Sequence, residues 1–207
     1  IVTIEDPIEI LHRDQKCIVN QREVGLDTEN YGTALKYVLR QDPDIIFIGE
    51  MRDQETVRTA LTAAQTGHFV LSTLHTIDAS ETINRIIDFF PLYQQKQVRI
   101  MLAGSLRGII SQRLLVRSDG TGRVPAVEVM VMTGRIRDLI LDPAQTHNIK
   151  QAVAEGDFYG MQTFDQSLLD LYERGLINLA DAQLMASSPH DFRLLVQSHG
   201  HEMPMVD

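Results

Sequence analysis

The sequence is poor in cysteine, in aromatic residues and in positive charge. Its 207 residues include one cysteine (Cys17), no tryptophan and 6% aromatic residues. One thiol cannot form an internal disulfide or a four-cysteine zinc site, which fits a reducing compartment. The hydrophobic content of 43% is ordinary for a globular chain, so we expect a conventional apolar core.

The charge balance and the apolar runs disfavour two classes of partner. Lysine and arginine total 19 against 28 acidic residues, which gives a net charge of −9. Phosphate backbones are bound mainly by basic side chains, so the composition disfavours a nucleic-acid partner. No apolar run approaches the roughly 18 residues that a membrane-spanning helix needs. We therefore expect no nucleic-acid binding and no direct membrane insertion.

A third absence concerns phosphate binding, because the sequence contains no GxxxxGK[ST] loop. Two other features nevertheless indicate a nucleotide–magnesium site. Apolar residues 1–4 run into Glu5 and Asp6, and the mostly apolar residues 44–49 run into Glu50. In a parallel sheet such runs are buried strands whose carboxyl ends meet at one edge, where ligands bind. We interpret the chain as the later part of an ATPase, beginning just after its phosphate-binding segment.

A third apolar run carries a histidine at each end. His68 precedes residues 69–73, and His75 follows them. His75 would share a sheet edge with Glu50, whereas His68 would lie about 20 Å away along an extended strand. One metal ion therefore cannot bind both histidines. An imidazole at His75 suits a contact with a terminal phosphate, and the alternative is a structural histidine.

The acidic residues suit two roles in phosphate chemistry. A carboxylate at Glu50 would orient and deprotonate an attacking water, which typically contributes about 10²–10⁴-fold to a rate. Glu5 or Asp6 would bind the water shell of Mg²⁺, which takes only one or two carboxylates directly. The structural interpretations are an acid that complements a helix dipole at Glu50, and an acidic turn at Glu5 and Asp6. Several arginines are suited either to phosphate contacts or to solvent, and they are Arg13, Arg22, Arg40, Arg52 and Arg58.

Strand-like and helical segments alternate through the first two thirds of the chain. This alternation predicts an α/β fold with a mostly parallel sheet flanked by helices. Within it, residues 94–115 are predicted to be largely helical and residues 124–131 to form a further strand. The remaining pattern is helical. We place a core domain at residues 1–132, an all-helical subdomain at 133–198 and a disordered tail at 199–207.

Three motifs in this order resemble those of the type II/type IV secretion ATPase superfamily. Residues 3–9 (TIEDPIE) are similar to its aspartate box, residues 42–53 to its Walker B box and residues 66–76 to its histidine box. Residues 160–165 (GMQTFD) are similar to a motif of the type IV pilus retraction ATPases in particular. The resemblance spans about residues 1–197.

The resemblance implies a RecA-like ATPase core, truncated before its Walker A segment, that works as a homo-hexamer with ATP and Mg²⁺. It assigns water activation to Glu50, with Glu5 and His75 as further catalytic residues. Glu5 and Asp6 would support Mg²⁺ through water. Nucleotide contacts would come from Asp6, Glu9, His68, Arg22, Arg40 and Arg52. Because no P-loop amides or lysine are present, we expect the chain alone to be inactive.

The same resemblance implies ATP-driven pilus retraction (twitching motility) with an inner-membrane platform protein as partner. The location would be cytoplasmic, against the inner face of the cell membrane. Assembly ATPases of the superfamily carry a four-cysteine insert after the segment matching residues 111–114, which a single cysteine excludes here. Residues 135–142 match the retraction signature only in part, which leaves an accessory role open. Three competing interpretations are a non-hydrolysing ring component, a type II secretion or pilus assembly ATPase, and a DNA-handling RecA-like ATPase.

Overall fold

Four short strands form one parallel sheet in the computed structural model, which describes residues 1–200. They are β1 (Val2–Glu5), β2 (Asn20–Glu23), β3 (Ile45–Ile48) and β4 (Phe69–Ser72). Their order across the sheet is β2-β1-β3-β4. The three strands that precede the motif residues, β1, β3 and β4, therefore lie side by side, as the α/β pattern predicts.

The register of the sheet brings the carboxyl ends of these strands to the same level. Ile4 pairs with Ile48, and Ile48 pairs with Ser72. On the other side of β1, Glu5 pairs with Glu23. Because all these pairs are parallel, the residues that follow each strand emerge at a single edge.

Two helices connect strands of the sheet, α1 (Tyr31–Val38) between β2 and β3 and α2 (Gln54–Gln65) between β3 and β4. Two more, α3 (Ala79–Asp88) and α4 (Leu92–Ser105), follow β4. Residues of α1 and α2 share an apolar cluster with alternate residues of β1 and β3, and each fully buried Ile or Leu contributes about 1.5–3 kcal/mol. The buried members of this cluster are Val2, Ile4, Tyr31, Ala34, Leu35, Val38, Ile46, Ile48, Ala60 and Ala63.

Side-chain caps determine where α1 and α2 begin. The Asn30 side chain accepts the backbone N–H of Thr33 at 2.8 Å. Asp53 accepts both the backbone N–H of Thr56 at 2.8 Å and its hydroxyl at 2.9 Å. Such caps satisfy N–H groups that have no partner inside the helix. After α2 the chain turns at Gly67, whose φ of +105° lies in the region that favours glycine.

An antiparallel strand pair and a set of helices make up most of the second part of the chain. The strands are β5 (Gly108–Val116) and β6 (Arg123–Val131). The helices are α5 (Gly134–Leu141), α6 (Ile149–Ala154), α7 (Phe164–Glu173), α8 (Leu179–Met185) and α9 (Pro189–Ser198). One apolar cluster of this part is built from Leu115, Ala126, Phe164, Leu168, Leu169, Leu171, Ile177, Ala182, Phe192 and Val196.

The predicted helix over residues 94–115 is wrong in its second half, because α4 ends and β5 begins there. Odd-numbered residues of β5, such as Ser111 and Leu115, are less exposed than the even-numbered ones, which is the two-residue period of a strand. The apolar positions fit a helical spacing as well, and pairing with β6 decides between the two. The strand predicted at 124–131 is present as β6, but it pairs antiparallel with β5, outside the parallel sheet.

Two compact units divide the chain differently from the boundary expected after residue 132. Among the described residues, the first comprises 1–76, 81–106 and 140–143, and the second comprises 77–80, 107–139 and 144–200. The hairpin groups with the later helices because its Leu115 and Ala126 share a core with Phe164. Residues 133–198 are mostly helical, as expected. The disordered tail was predicted at residues 199–207, of which residues 201–207 lie outside the described residues.

A buried carboxylate explains why the short segment 77–80 belongs to the second unit. Glu128 of β6 is 5% exposed and accepts the backbone N–H of Ala79 at 2.8 Å. Burial raises the pKa of Glu128, and the hydrogen bond from Ala79 opposes that rise. Together with a backbone hydrogen bond from Phe164, this bond satisfies a carboxylate that is buried away from water.

The cap at Asp53 is open to a direct stability test. We expect Asp53→Ala to lower the free energy of unfolding by about 1 kcal/mol, because the N–H and hydroxyl of the buried Thr56 lose their acceptor. Urea unfolding followed by circular dichroism measures the change. Asp53→Asn keeps one acceptor oxygen and serves as the control. Equal losses in both variants would contradict a capping role.

Candidate functional site

Backbone hydrogen bonds join the tips of β1, β3 and β4. The N–H of Gly49, just after β3, donates to the Ile4 carbonyl at 2.7 Å. The N–H of Met51 donates to the Thr73 carbonyl at 3.1 Å, and the Thr73 hydroxyl donates to the Gly49 carbonyl at 2.5 Å. The turn that carries Glu50 is therefore anchored to both neighbouring strands.

Glu50 stands at the centre of a charged cluster at this edge. Its Oε1 accepts a hydrogen bond from the Nη2 of Arg52, and its Oε2 lies 3.4 Å from the Nε2 of His75. Arg52 also donates from Nη1 to Asp6 at 3.2 Å. The Glu50 side chain is 15% exposed and that of His75 is 89% exposed. Residues from three adjacent strand tips thus meet around one carboxylate.

The charges in the cluster determine the protonation of Glu50. The hydrogen bond from Arg52 holds the pKa of Glu50 below its ordinary value of 4.5, and the charge of Arg52 acts in the same direction. Desolvation opposes this change without reversing it. The carboxylate is therefore ionised at neutral pH and able to accept a proton or a hydrogen bond from water.

Glu5 lies at the same edge but is bonded to other groups. Its Oε1 accepts the Thr3 hydroxyl at 2.6 Å and the Gln21 amide at 2.9 Å. Gln21 also donates to the carbonyl of Ile10 at 3.0 Å, which holds the loop after β1 against β2. The Glu5 carboxylate is thereby fixed in place, with lone pairs left for further donors.

The carboxylates of Glu5 and Asp6 suit the water shell of a magnesium ion. Within residues 1–200, no three His, Cys, Asp or Glu side chains converge closely enough to hold a metal ion alone. Mg²⁺ usually keeps several waters, so carboxylates such as Glu5 and Asp6 suffice to accept hydrogen bonds from its shell. When bound, the ion would neutralise charge on phosphate oxygens.

Two residues assigned from the resemblance have their contacts elsewhere. The ring of His68 bonds the Ala63 carbonyl at 3.1 Å, at the amino end of β4, so His68 is not part of this site within the chain. Arg22 donates to the Gln41 side chain at 3.2 Å. Glu9 and Arg40 are exposed, and the ion-pair partners of Glu50 are Arg52 and His75 instead.

Tyr31 belongs to this edge although the sequence identifies it only as an apolar position of a helix. It begins α1, it is 6% exposed, and its hydroxyl has no hydrogen-bond partner among the described residues. A tyrosine at a helical spacing is ordinarily a core residue, so no sequence signal distinguishes it. Only the close approach of α1 to the tips of β1 and β3 reveals the position of its hydroxyl.

The parallel sheet flanked by helices, with acidic residues following adjacent strands, is an open α/β fold, and its structural match assigns it to the RecA-like class. The comparisons with known proteins agree. Residues 1–120 match the Type II/IV secretion system protein family, and the chain belongs to that family.

Individual relatives extend the match to almost the whole chain. The type IV pilus retraction ATPase PilT of Pseudomonas aeruginosa is 49% identical over 192 residues, 93% of this chain and 55% of that protein. The type IV pilus ATPase PilU of the same organism is 45% identical over 197 residues, 95% and 51% of the two chains. A crystal structure of the pilus retraction motor PilT with bound ADP superposes on this chain with a TM-score of 0.82 at 52% sequence identity. The match covers 92% of this chain and 53% of the PilT chain.

The chain spans about half the length of the curated relatives it matches. Over residues 1–200, no helix has both the length and the apolar character needed to cross a membrane.

Removing Arg52 tests what controls the charge of Glu50. We expect Arg52→Ala to raise the pKa of Glu50 towards 4.5, because its strongest hydrogen-bond donor is lost. In the native protein the ion pair stabilises the fold above pH 4.5, and that contribution disappears as the pH falls through the lowered pKa. Carboxyl-carbon NMR titration in metal-free buffer measures the change.

The exposed Arg13 supplies the control for this titration. Arg13→Ala removes the same charge without a bond to Glu50 and should leave the pKa of Glu50 in place. A Glu50 pKa that is the same in Arg52→Ala and in the native protein would show that Arg52 does not control it.

Proposed function

We propose that this chain is part of an ATPase in which Glu50 activates water for attack on a terminal phosphate. The observation that carries the proposal is the position of Glu50, an ionised carboxylate at the tip of β3 with Arg52 and His75 beside it. A general base of this kind must be ionised at working pH and within reach of water, and Glu50 meets both conditions.

The contacts of Glu50 suggest how the base becomes available. Arg52 occupies one oxygen and His75 approaches the other, so a water must share or displace these partners. An arginine beside the reacting phosphate has a second use, since it can move its hydrogen bonds from a carboxylate to phosphate oxygens. We assign the same exchange to His75, whose exposed ring lies 3.4 Å from Glu50.

Magnesium and the remaining nucleotide contacts complete the proposal. Glu5 and Asp6 would hold the water shell of Mg²⁺ from the tip of β1. We assign Arg22, Arg40 and Glu9 to nucleotide contacts, with the two arginines acting across subunit boundaries in a homo-hexamer. The chain alone supplies no P-loop amides or lysine for the phosphates, so we assign it negligible turnover by itself.

At the level of the whole protein, we propose a motor for type IV pilus retraction. Support comes from the similarity to PilT over 93% of this chain. Motion driven by ATP hydrolysis would act on a platform protein at the inner face of the cell membrane. The similar match to PilU favours, as the second candidate, an accessory member of the same machine.

Glu50→Gln in the intact protein tests the assigned chemistry. We expect kcat for ATP hydrolysis to fall by about 10²–10⁴-fold, because glutamine keeps the shape but cannot accept the proton. Nucleotide affinity should stay close to the native value, since the amide oxygen still accepts hydrogen bonds. Phosphate release and equilibrium nucleotide binding are the two measurements.

Glu55→Gln is the matched control. Glu55 is an exposed acid of α2 whose carboxylate pairs with the Lys36 ammonium at 2.7 Å. The activity of this variant should equal that of the native protein. Retention of native kcat by Glu50→Gln would remove Glu50 from the mechanism and favour a non-hydrolysing ring component.

A further inference from the structure

His75 stands beside Glu50 although its side chain is open to solvent. Its ring is 89% exposed, and its Nε2 lies 3.4 Å from the Glu50 carboxylate. Exposed ion pairs are weak because water and salt screen them, so this contact alone does not hold the ring in place. The position of His75 must therefore depend on the backbone that carries it.

The chain before His75 is anchored to the turn that carries Glu50. The Thr73 carbonyl accepts the N–H of Met51 at 3.1 Å, and the Thr73 hydroxyl donates to the Gly49 carbonyl at 2.5 Å. These two bonds fix the chain as far as Thr73, and a second anchor is needed to fix the residues that follow.

The chain after His75 is anchored to α3. The hydroxyl oxygens of Thr76 and Thr82 are 2.6 Å apart, a distance typical of an O–H···O hydrogen bond. The N–H of Thr76 also donates to the Leu74 carbonyl at 3.2 Å, which bends the chain at His75. Because Thr76 directly follows His75, a restraint on Thr76 acts on the backbone of the histidine.

Thr82 provides a firm support for this anchor. It is 7% exposed, and the next buried residues along α3 are Ile83, Ile86 and Ile87. Close packing of these apolar side chains restricts the rotation and sliding of the helix. A buried hydroxyl such as that of Thr82 is normally hydrogen-bonded, and the Thr76 hydroxyl is one partner.

We propose that Thr82 is a positioning residue, whose hydroxyl holds Thr76 and thereby keeps the His75 ring beside Glu50. In the proposed mechanism His75 exchanges its contact with Glu50 for phosphate oxygens, and a fixed backbone confines that exchange to the side chain. The inference rests on the proposed function for its effect on ATP hydrolysis, whereas the position of His75 is a structural matter.

Four substitutions of threonine separate the hydroxyl from the rest of the side chain. Thr82→Val removes the hydroxyl and keeps the branched shape, whereas Thr82→Ser keeps the hydroxyl. Thr76→Val removes the other half of the same bond, and it takes the place of Thr82→Val if that variant does not fold. Thr62→Val is the matched control, because the Thr62 hydroxyl bonds the Arg58 carbonyl within α2 at 2.8 Å.

The first measurement is ATP hydrolysis by the intact protein. We expect kcat to fall about threefold to tenfold in Thr82→Val and in Thr76→Val, which is the range that one lost hydrogen bond supplies. Thr82→Ser and Thr62→Val should match the native protein. In a His75→Ala background, Thr82→Val should cause no further loss, because both changes remove the same contribution.

The second measurement is the pKa of Glu50, which needs no turnover. The hydrogen bond from Arg52 lowers this pKa most, and the charge and hydrogen bond of His75 lower it as well. Carboxyl-carbon NMR titration in metal-free buffer should therefore give a higher Glu50 pKa in Thr82→Val than in the native protein. Thr82→Ser should keep the native value.

The outcomes separate this inference from the proposed function. A Thr82→Val variant in which either kcat or the Glu50 pKa stays native overturns the role of Thr82. Equal losses in Thr82→Val and Thr82→Ser overturn it as well, and so do independent effects of Thr82→Val and His75→Ala. If the native protein does not hydrolyse ATP, the proposed function fails, and the Glu50 pKa still decides whether Thr82 positions His75.

Discussion

The parallel register of β1, β3 and β4 is the constraint on which the site depends. The sequence separates Asp6, Glu50 and His75 by many residues, and only side-by-side strands of the same direction bring them together. The hydrogen bonds from Gly49 to Ile4 and from Met51 to Thr73 then fix the turn after β3 relative to the ends of β1 and β4. Slipping one strand by a residue would turn its buried side chains to the other face and move the acid out of reach.

Gathering acids at one edge has an electrostatic cost that Arg52 offsets. Asp6 and Glu50 repel each other, and the guanidinium placed between them donates to both. Because this cluster is open to solvent on the side of His75, screening limits the energy of each pair. The main effect of Arg52 is on the protonation of Glu50, because its hydrogen bond lowers the pKa of the carboxylate and engages one of its oxygens. In the proposed mechanism, the base becomes free when phosphate oxygens compete for the arginine.

The second unit depends on a different kind of contact. Its hairpin and helices are joined by an apolar cluster around Phe164 and Phe192, together with the buried carboxylate of Glu128. The Arg113 guanidinium lies 4.1 Å from the centre of the Phe164 ring and donates to the Met185 carbonyl at 2.7 Å. These contacts explain why strands β5 and β6 group with helices rather than with the parallel sheet.

The sequence by itself determined the α/β pattern and the motif acids, because buried parallel strands are continuous apolar runs and the residues after them carry the chemistry. It also placed Glu50 and His75 at one edge and His68 at the other. Only the tertiary structure decided that residues 108–116 are a strand, since Ile109, Ile110 and Leu114 fit either period until β6 pairs with them. Tertiary structure likewise decided that Arg52 bridges Asp6 and Glu50 and that the Tyr31 hydroxyl reaches Gly49. Such contacts join residues distant in the chain, and no local spacing encodes them.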